Sequence, residues 1–171
     1  ASEVSSLTYT LANDPDNILT TVVAEALTDA YNQEKTENVE RYLYNICDHN
    51  AENDANISIH LYKKTTSGLI IPICSSHEMV DMIVPWAEDR EALARIDKGG
   101  IFNTTYNDEL GECVASVAVL KNNEGKIVGY AETDSNIGIM TMGLFRRLMA
   151  IFVTLLTVIV GIVLFFIELK G

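Results

Sequence analysis

The residues of this chain best suited to recognising a small molecule lie in its middle and C-terminal thirds. Trp86, the one tryptophan, sits in VPWAED, where its indole fits a pocket wall and an ordinary core position alike. Arg90 and Arg95 follow in the same stretch. A guanidinium clasps a carboxylate through two parallel N–H bonds, although Glu88, Asp89, Glu91 and Asp97 offer both arginines surface ion pairs nearby. Tyr106 and Tyr130 each combine a flat apolar face with a hydroxyl, which serves a ligand or a core. In KIVGYAET, period-two alternation sets Val128, Tyr130 and Glu132 on one side of a strand and Ile127, Gly129 and Ala131 on the other. An arginine beside aromatic walls suits a carboxylate, and Glu132 suits an amine. Together they point to a small carboxylate or an amino acid as ligand.

Other chemistries find less support. The sequence has no G-x-S-x-G, no phosphate-binding P-loop and no H-E-x-x-H, so it offers no argument for an enzyme or a cofactor. Cys47, Cys74 and Cys113 are odd in number and widely spaced, and they form no ligand set with His49, His60 or His77. They read as buried free thiols, with one disulfide open, and not as a zinc site. HNAENDAN, residues 49–56, has the polarity of a calcium loop but lacks its glycine and its closing glutamate, so it reads as a helix end and turn. A net charge of −12 disfavours nucleic acid as a partner and a flat approach to an anionic bilayer.

These residues hang from a membrane anchor. LMAIFVTLLTVIVGIVLFFI, Leu148–Ile167, is an uncharged run of about twenty residues, long enough as a helix to cross a bilayer core. Residues 1–145 then form one domain and 146–171 the membrane helix with its flanks. Arg146 and Arg147 precede the span, and the positive-inside rule taken alone places the domain in the cytoplasm, although large exported domains escape that rule.

The domain itself reads as α+β. Asp14 and Pro15 start a helix, and apolar residues recur helically from Leu19 to Cys47, faltering at NQEKT. One long, bent helix from Pro15 to about Asn50 is the result. Its stripe exceeds what one small sheet needs, which predicts a parallel homodimer with Val22 and Val39 at the contact. Ile57, Ile59 and Leu61 alternate with Ser58, His60 and Tyr62 in a first strand. KKTTSG turns the chain into a second strand, Leu69–Cys74, which Pro72 confines to an edge. Short helical pieces fill residues 77–99. Strands at Ile101–Tyr106, Glu112–Lys121 and Lys126–Thr133 follow, the last two joined by the tight turn NNEG.

This order of elements, and Gly99–Gly138 in particular, resembles the extracytoplasmic PAS-like sensor domains of the single-Cache type found in bacterial transmembrane receptors. Tyr106, Gly111, Gly125, Gly129 and Asp134 stand where that family carries a strand tyrosine, turn glycines and an exit aspartate. The resemblance implies a long N-terminal helix packed on a five-stranded antiparallel sheet in order 2-1-5-4-3, with a ligand pocket on one sheet face. It also implies a membrane helix that carries a signal to a cytoplasmic output domain, which residues 1–171 do not contain. Asp134 matches a position that binds ligand amines in some relatives; capping a strand end is its other role. The expectation is therefore an extracytoplasmic ligand sensor. A tail-anchored adaptor facing the cytosol and a dimerisation domain without a ligand are the alternatives.

Overall fold

The computed structural model describes residues 2–14, 16–52, 57–77, 84–108 and 111–168. Its N-terminal third holds three helices, α1 (Ser2–Ala12), α2 (Ile18–Glu25) and α3 (Gln33–Glu52). The helix expected from Pro15 to about Asn50 is thus two helices. Asp14 does act as the start signal, its carboxylate accepting from the amides of Ile18 at 2.8 Å and Leu19 at 3.4 Å. After Glu25 the backbone leaves helical angles: Ala26 is extended and Leu27 takes a positive φ of 60°. Asn32 then restarts the helix by accepting from the Lys35 amide at 2.9 Å. Lys63 holds the break in place, its ammonium donating to the carbonyls of Ala24, at 2.8 Å, and Ala26.

The strands are β1 (Ile57–Lys64), β2 (Ile70–Ser75), β3 (Phe102–Asp108), β4 (Gly111–Lys121) and β5 (Ile127–Asn136). They form one antiparallel sheet in order β2-β1-β5-β4-β3, as the resemblance implies. Pro72 lies on the edge strand, where its missing N–H interrupts no second ladder. Between β2 and β3 run two short helices, α4 (Pro85–Glu88) and α5 (Arg90–Asp97). Asp89 caps α5 through the amides of Glu91 and Ala92. The apolar residues Met79, Met82 and Ile83, expected in the same excursion, lie outside the described residues, as do Asn53–Asn56 of the polar break.

α1, α2 and α3 cover one face of the sheet, and α4 and α5 cover the other. On the helix face Leu19, Val22, Val23, Val39, Leu43 and Cys47 pack against Ile57, Ile59, Leu61 and Ala131. Val22 and Val39 are 3% and 1% exposed, so the sheet covers the two positions expected at a dimer contact. The stripe looked surplus because the sheet was assumed to need less of it. On the other face, called distal below, Trp86 and Ile96 pack against Tyr62, Val117, Val119 and Tyr130.

β5 corrects one detail of the alternation. A bulge shifts its register against β4, Leu120 pairing Gly129 while Lys121 pairs Ile127. Val128 therefore packs with the helix-face core, and Ile127 joins the distal cluster, the reverse of a regular strand. From Tyr130 onward the expected alternation holds.

Asn136 ends β5 and Ile137 begins α6 (Ile137–Glu168) with no residue between. This helix of 32 residues is about 48 Å long at ~1.5 Å per residue. Its segment Leu144–Ile162 is long and apolar enough to cross a membrane, and the side chains described there are exposed. The helix runs without a break across Phe145 and Arg146.

Candidate functional site

β1 and β5 are neighbours, and Tyr62 pairs with Tyr130, His60 with Glu132 and Ser58 with Asp134. In β1, Ile57, Ile59 and Leu61 face the helices, which leaves His60 and Tyr62 on the distal face. In β5 the corresponding residues are Tyr130, Glu132 and Asp134. Tyr106 reaches the same region from β3, Ser75 from β2, Trp86 from α4 and Asp97 from α5.

Each of three phenols donates to its own carboxylate. Tyr62 bonds Glu132 Oε2, Tyr106 bonds Asp134 Oδ2 and Tyr130 bonds Asp97 Oδ1, all at 2.7 Å. Burial first, and then these carboxylates, push all three phenol pKa values well up, so the hydroxyls remain donors. Trp86 stands edge-on between two of the rings, 5.4 Å from Tyr62 and 5.2 Å from Tyr130. Lys64 binds Asp97 at 2.6 Å and lies 5.8 Å from the Tyr130 ring centre. His60 joins two strands to Asp134, its Nε2 at 3.4 Å from Oδ2 and its Nδ1 at 2.8 Å from the Ser75 hydroxyl.

Glu132 is the most constrained member. It is 4% exposed, and burial raises its pKa above the usual carboxylate range. The Tyr62 hydroxyl and His60 oppose that rise, whereas Asp134 adds to it. The Trp86 indole N–H lies close enough to favour the charged carboxylate but makes no hydrogen bond of ordinary geometry, and it is buried without a partner. Ser75, His60 and Asp134 have the residue types of a nucleophilic triad. Ser75 is buried, however, and its oxygen also accepts from the His77 amide at 3.3 Å, so this hydroxyl is engaged within the fold.

Of the residues singled out in the sequence, Trp86, Tyr106, Tyr130, Glu132 and Asp134 come together on this face. Arg90 does not join them. It is exposed on the first turn of α5 and makes no hydrogen bond or ion pair with the described residues, because the stripe of α5 that meets the sheet is Ala92, Leu93 and Ile96. Arg95 is likewise on the surface, bound to Glu91 at 2.7 Å. His60, Tyr62 and Asp97 were missed as site residues. The signal for the first two was present, since they occupy the non-aliphatic side of β1. The three cysteines are free and buried, and burial pushes Cys74 up to about 12. Among the described residues no cluster suits a metal ion. A separate open groove of about 610 Å³ lies between Glu37, Glu40, Arg41 and Tyr44 of α3 and the end of β2 at Ser75–His77.

No protein-family signature matches the sequence, and no curated protein matches it. Among solved structures, the sensor domain of the histidine kinase DctB from V. cholerae superposes with a TM-score of 0.57 at 14% identity, over 83% of this chain and 51% of that one. The chain shares the fold of the superposed part of that domain. It spans about half the length of that DctB structure. Two looser likenesses are the ligand-binding domain of the Pseudomonas aeruginosa amino-acid chemoreceptor PctC, solved with GABA, and the periplasmic domain of RsbU from Chlamydia trachomatis. The first has a TM-score of 0.40 and 20% identity over 83% of this chain and 65% of that one. The second has 0.38 and 12% over 84% and 55%. Of the distal cluster, Tyr130, Glu132 and Asp134 lie on β5, the strand that continues into α6.

Proposed function

We propose that this chain is the extracytoplasmic ligand-sensing module of a bacterial transmembrane receptor. Trp86, Tyr106, Tyr130, Glu132 and Asp134 are its ligand contacts, joined by His60 and Tyr62. The observation that carries the reading is the continuity of β5 with α6. Glu132 and Asp134 sit two and four residues beyond Tyr130 on the strand, and the apolar helix starts at Ile137. A molecule that alters the hydrogen bonds of these two carboxylates acts on a strand with no loop to absorb the displacement, so the motion passes into the membrane segment.

A second reading, a domain that works without a small molecule, draws support from the closure of the same face. Tyr62, Trp86, Tyr130 and Glu132 are each at most 4% exposed. The two are separated by a thermal-shift screen of small organic ions on the full chain in detergent, repeated with Tyr130→Ala. A ligand at ~100 times its dissociation constant adds roughly 2.7 kcal/mol, and the substitution should remove that gain. A screen without hits, or hits indifferent to Tyr130, would favour the ligand-free domain. Sidedness is tested with Asn123→Cys, exposed in the β4–β5 turn, against the buried native thiols. An impermeant maleimide should label it on spheroplasts before lysis. Labelling only after lysis would turn the proposal into that of a cytosol-facing, tail-anchored protein.

A further inference from the structure

The charge on the distal face is one-sided. Glu132, Asp134 and Asp97 are its acids, while Lys64 is already committed to Asp97 at 2.6 Å. His60 is the other basic group, at 3.4 Å from Asp134. The cations of the excursion face away: Arg90 and Lys98 are exposed, and Arg95 is on the surface with Glu91. Residues 78–83, EMVDMI, add two acids and no Lys or Arg to the chain between β2 and α4. Among the described residues a carboxylate ligand would therefore meet no cation other than Lys64, which Asp97 already holds, and it would stand beside Glu132 and Asp134. Charge complementarity selects the opposite sign.

Two buried polar groups are also left short. Glu132 has Tyr62 as its one donor of ordinary geometry among the described residues. The Trp86 N–H beside it is buried, near enough to favour the charged carboxylate but without a hydrogen bond of ordinary geometry among the described residues. The indole is held edge-on between Tyr62 and Tyr130, and its contact with Glu132 falls short of ordinary hydrogen-bond geometry. A guest with N–H donors and a neighbouring hydroxyl would satisfy both, and the rings around it attract a cation through their faces.

Resting on the ligand-binding reading above, we infer that the distal face takes a small organic ammonium ion lacking a carboxylate. Its N–H groups bind Glu132, and its carbon frame lies against Tyr62, Trp86 and Tyr130. Entry requires α4 to shift, since Trp86 is 2% exposed. The burial that holds the Glu132 carboxyl above its usual range supplies a signature of such binding. A cation favours the ionised carboxylate, so binding releases a proton wherever Glu132 is partly protonated in the free protein. Affinity then rises with pH by up to about tenfold per unit until Glu132 is ionised beforehand. The other titratable or charged groups facing this region are His60 and Tyr62 of β1, Lys64 at the end of β1, Tyr106 of β3, Cys113 of β4, Tyr130 and Asp134 of β5, and Asp97 of α5.

The test is calorimetric titration of the full chain in detergent with ethanolamine, putrescine and choline, and with acetate and succinate as anions. Each is run at two pH values and in two buffers of different ionisation enthalpy, and emission of the single tryptophan is followed in parallel. At least one ammonium probe should bind, shift the Trp86 emission, release a proton and bind more tightly at the higher pH. Glu132→Gln should weaken it by about tenfold or more and abolish the proton release, whereas His60→Gln should leave that release in place. Should Glu132→Gln misfold, Tyr130→Ala provides the second variant and should also weaken binding. An anion that binds and is lost in Tyr130→Ala would overturn the charge assignment while leaving the face as a ligand site. Binding by neither class, or binding untouched by both substitutions, would overturn the inference and the site together.

Discussion

The two faces of the sheet both carry buried side chains but are built from different chemistry. The helix face is mainly aliphatic: Leu19, Val23, Leu43, Ile59 and Leu61 are at most 1% exposed and cluster with Cys47, Cys74 and Ala131, and the polar groups beside them in β5 are the small hydroxyls of Thr133 and Ser135. The distal face is closed at Tyr62, Trp86, Tyr130 and Glu132 and part-exposed at His60, Asp134 and Asp97, and it holds three phenols on three carboxylates, a histidine and an indole. Burial alone does not separate a scaffold from a site. A buried carboxylate costs free energy that an alkyl group does not, and that cost falls wholly on one face. The helix face is organised for stability and close approach, the distal face for interactions that stability alone would not select.

The sharpest way to break this contrast is at Gly129. A Cβ there would collide with the Tyr62 carbonyl oxygen and come within 2.6 Å of Val23 Cγ1, so neither the backbone of β1 nor α2 can stay in place. Gly129→Ala should cost at or beyond the ~3 kcal/mol upper end of overpacking, read as a large fall in the urea midpoint. A near-wild-type midpoint would mean that α2 is not seated on the sheet. Leu43→Ala comes next. It empties a fully buried site on the helix face and should cost about 2–5 kcal/mol while leaving Trp86 emission unchanged.

On the distal face the expected losses are smaller and depend on pH. Tyr62→Phe removes the donor that Glu132 has at 2.7 Å and should cost roughly 1–3 kcal/mol where the carboxylate is ionised. It should also raise the Glu132 pKa further, since that bond lowers it. The sign for the wild type follows from the same shift. With its folded pKa raised, Glu132 contributes stability that is fully present below the unfolded value, ~4.3, and lost as pH rises through the folded value. Glu132→Gln should therefore gain on the wild type as pH increases in denaturation series from acid to neutral. Parallel pH profiles for the two proteins would show that Glu132 is not desolvated. The smallest effect is expected at Asp97, whose pair with Lys64 is partly exposed, the side chains at 29% and 25%. Asp97→Asn should cost no more than about 1 kcal/mol and become milder in salt.

Sequence reasoning reached the elements through local periodicity. All five strands, the edge position of Pro72, the Asn122–Gly125 turn and the apolar helix were legible, because alternation, missing donors and uncharged runs are properties of neighbouring residues. The sheet order came from resemblance, not from any residue pattern. Within the candidate site, Tyr130 and Glu132 were placed on one face by alternation alone, and His60 and Tyr62 carried the same signal unused. Arg90 was placed there wrongly because the facing of an eight-residue helix depends on which stripe its sheet accepts.

The chain's local chemistry determined that a strand bearing Tyr130, Glu132 and Asp134 leads towards a helix able to cross a membrane. Only the tertiary structure decided which partners those side chains meet. Tyr62 and Glu132 are 70 residues apart, Tyr106 and Asp134 are 28, and Asp97 and Tyr130 are 33. The bulge that turns Val128 towards the helices arises from pairing with β4, and the break after Glu25 is held by Lys63 of β1. Periodicity is written along one segment, whereas burial of a carboxylate and the hydrogen bond that steadies it require two segments to arrive at the same place.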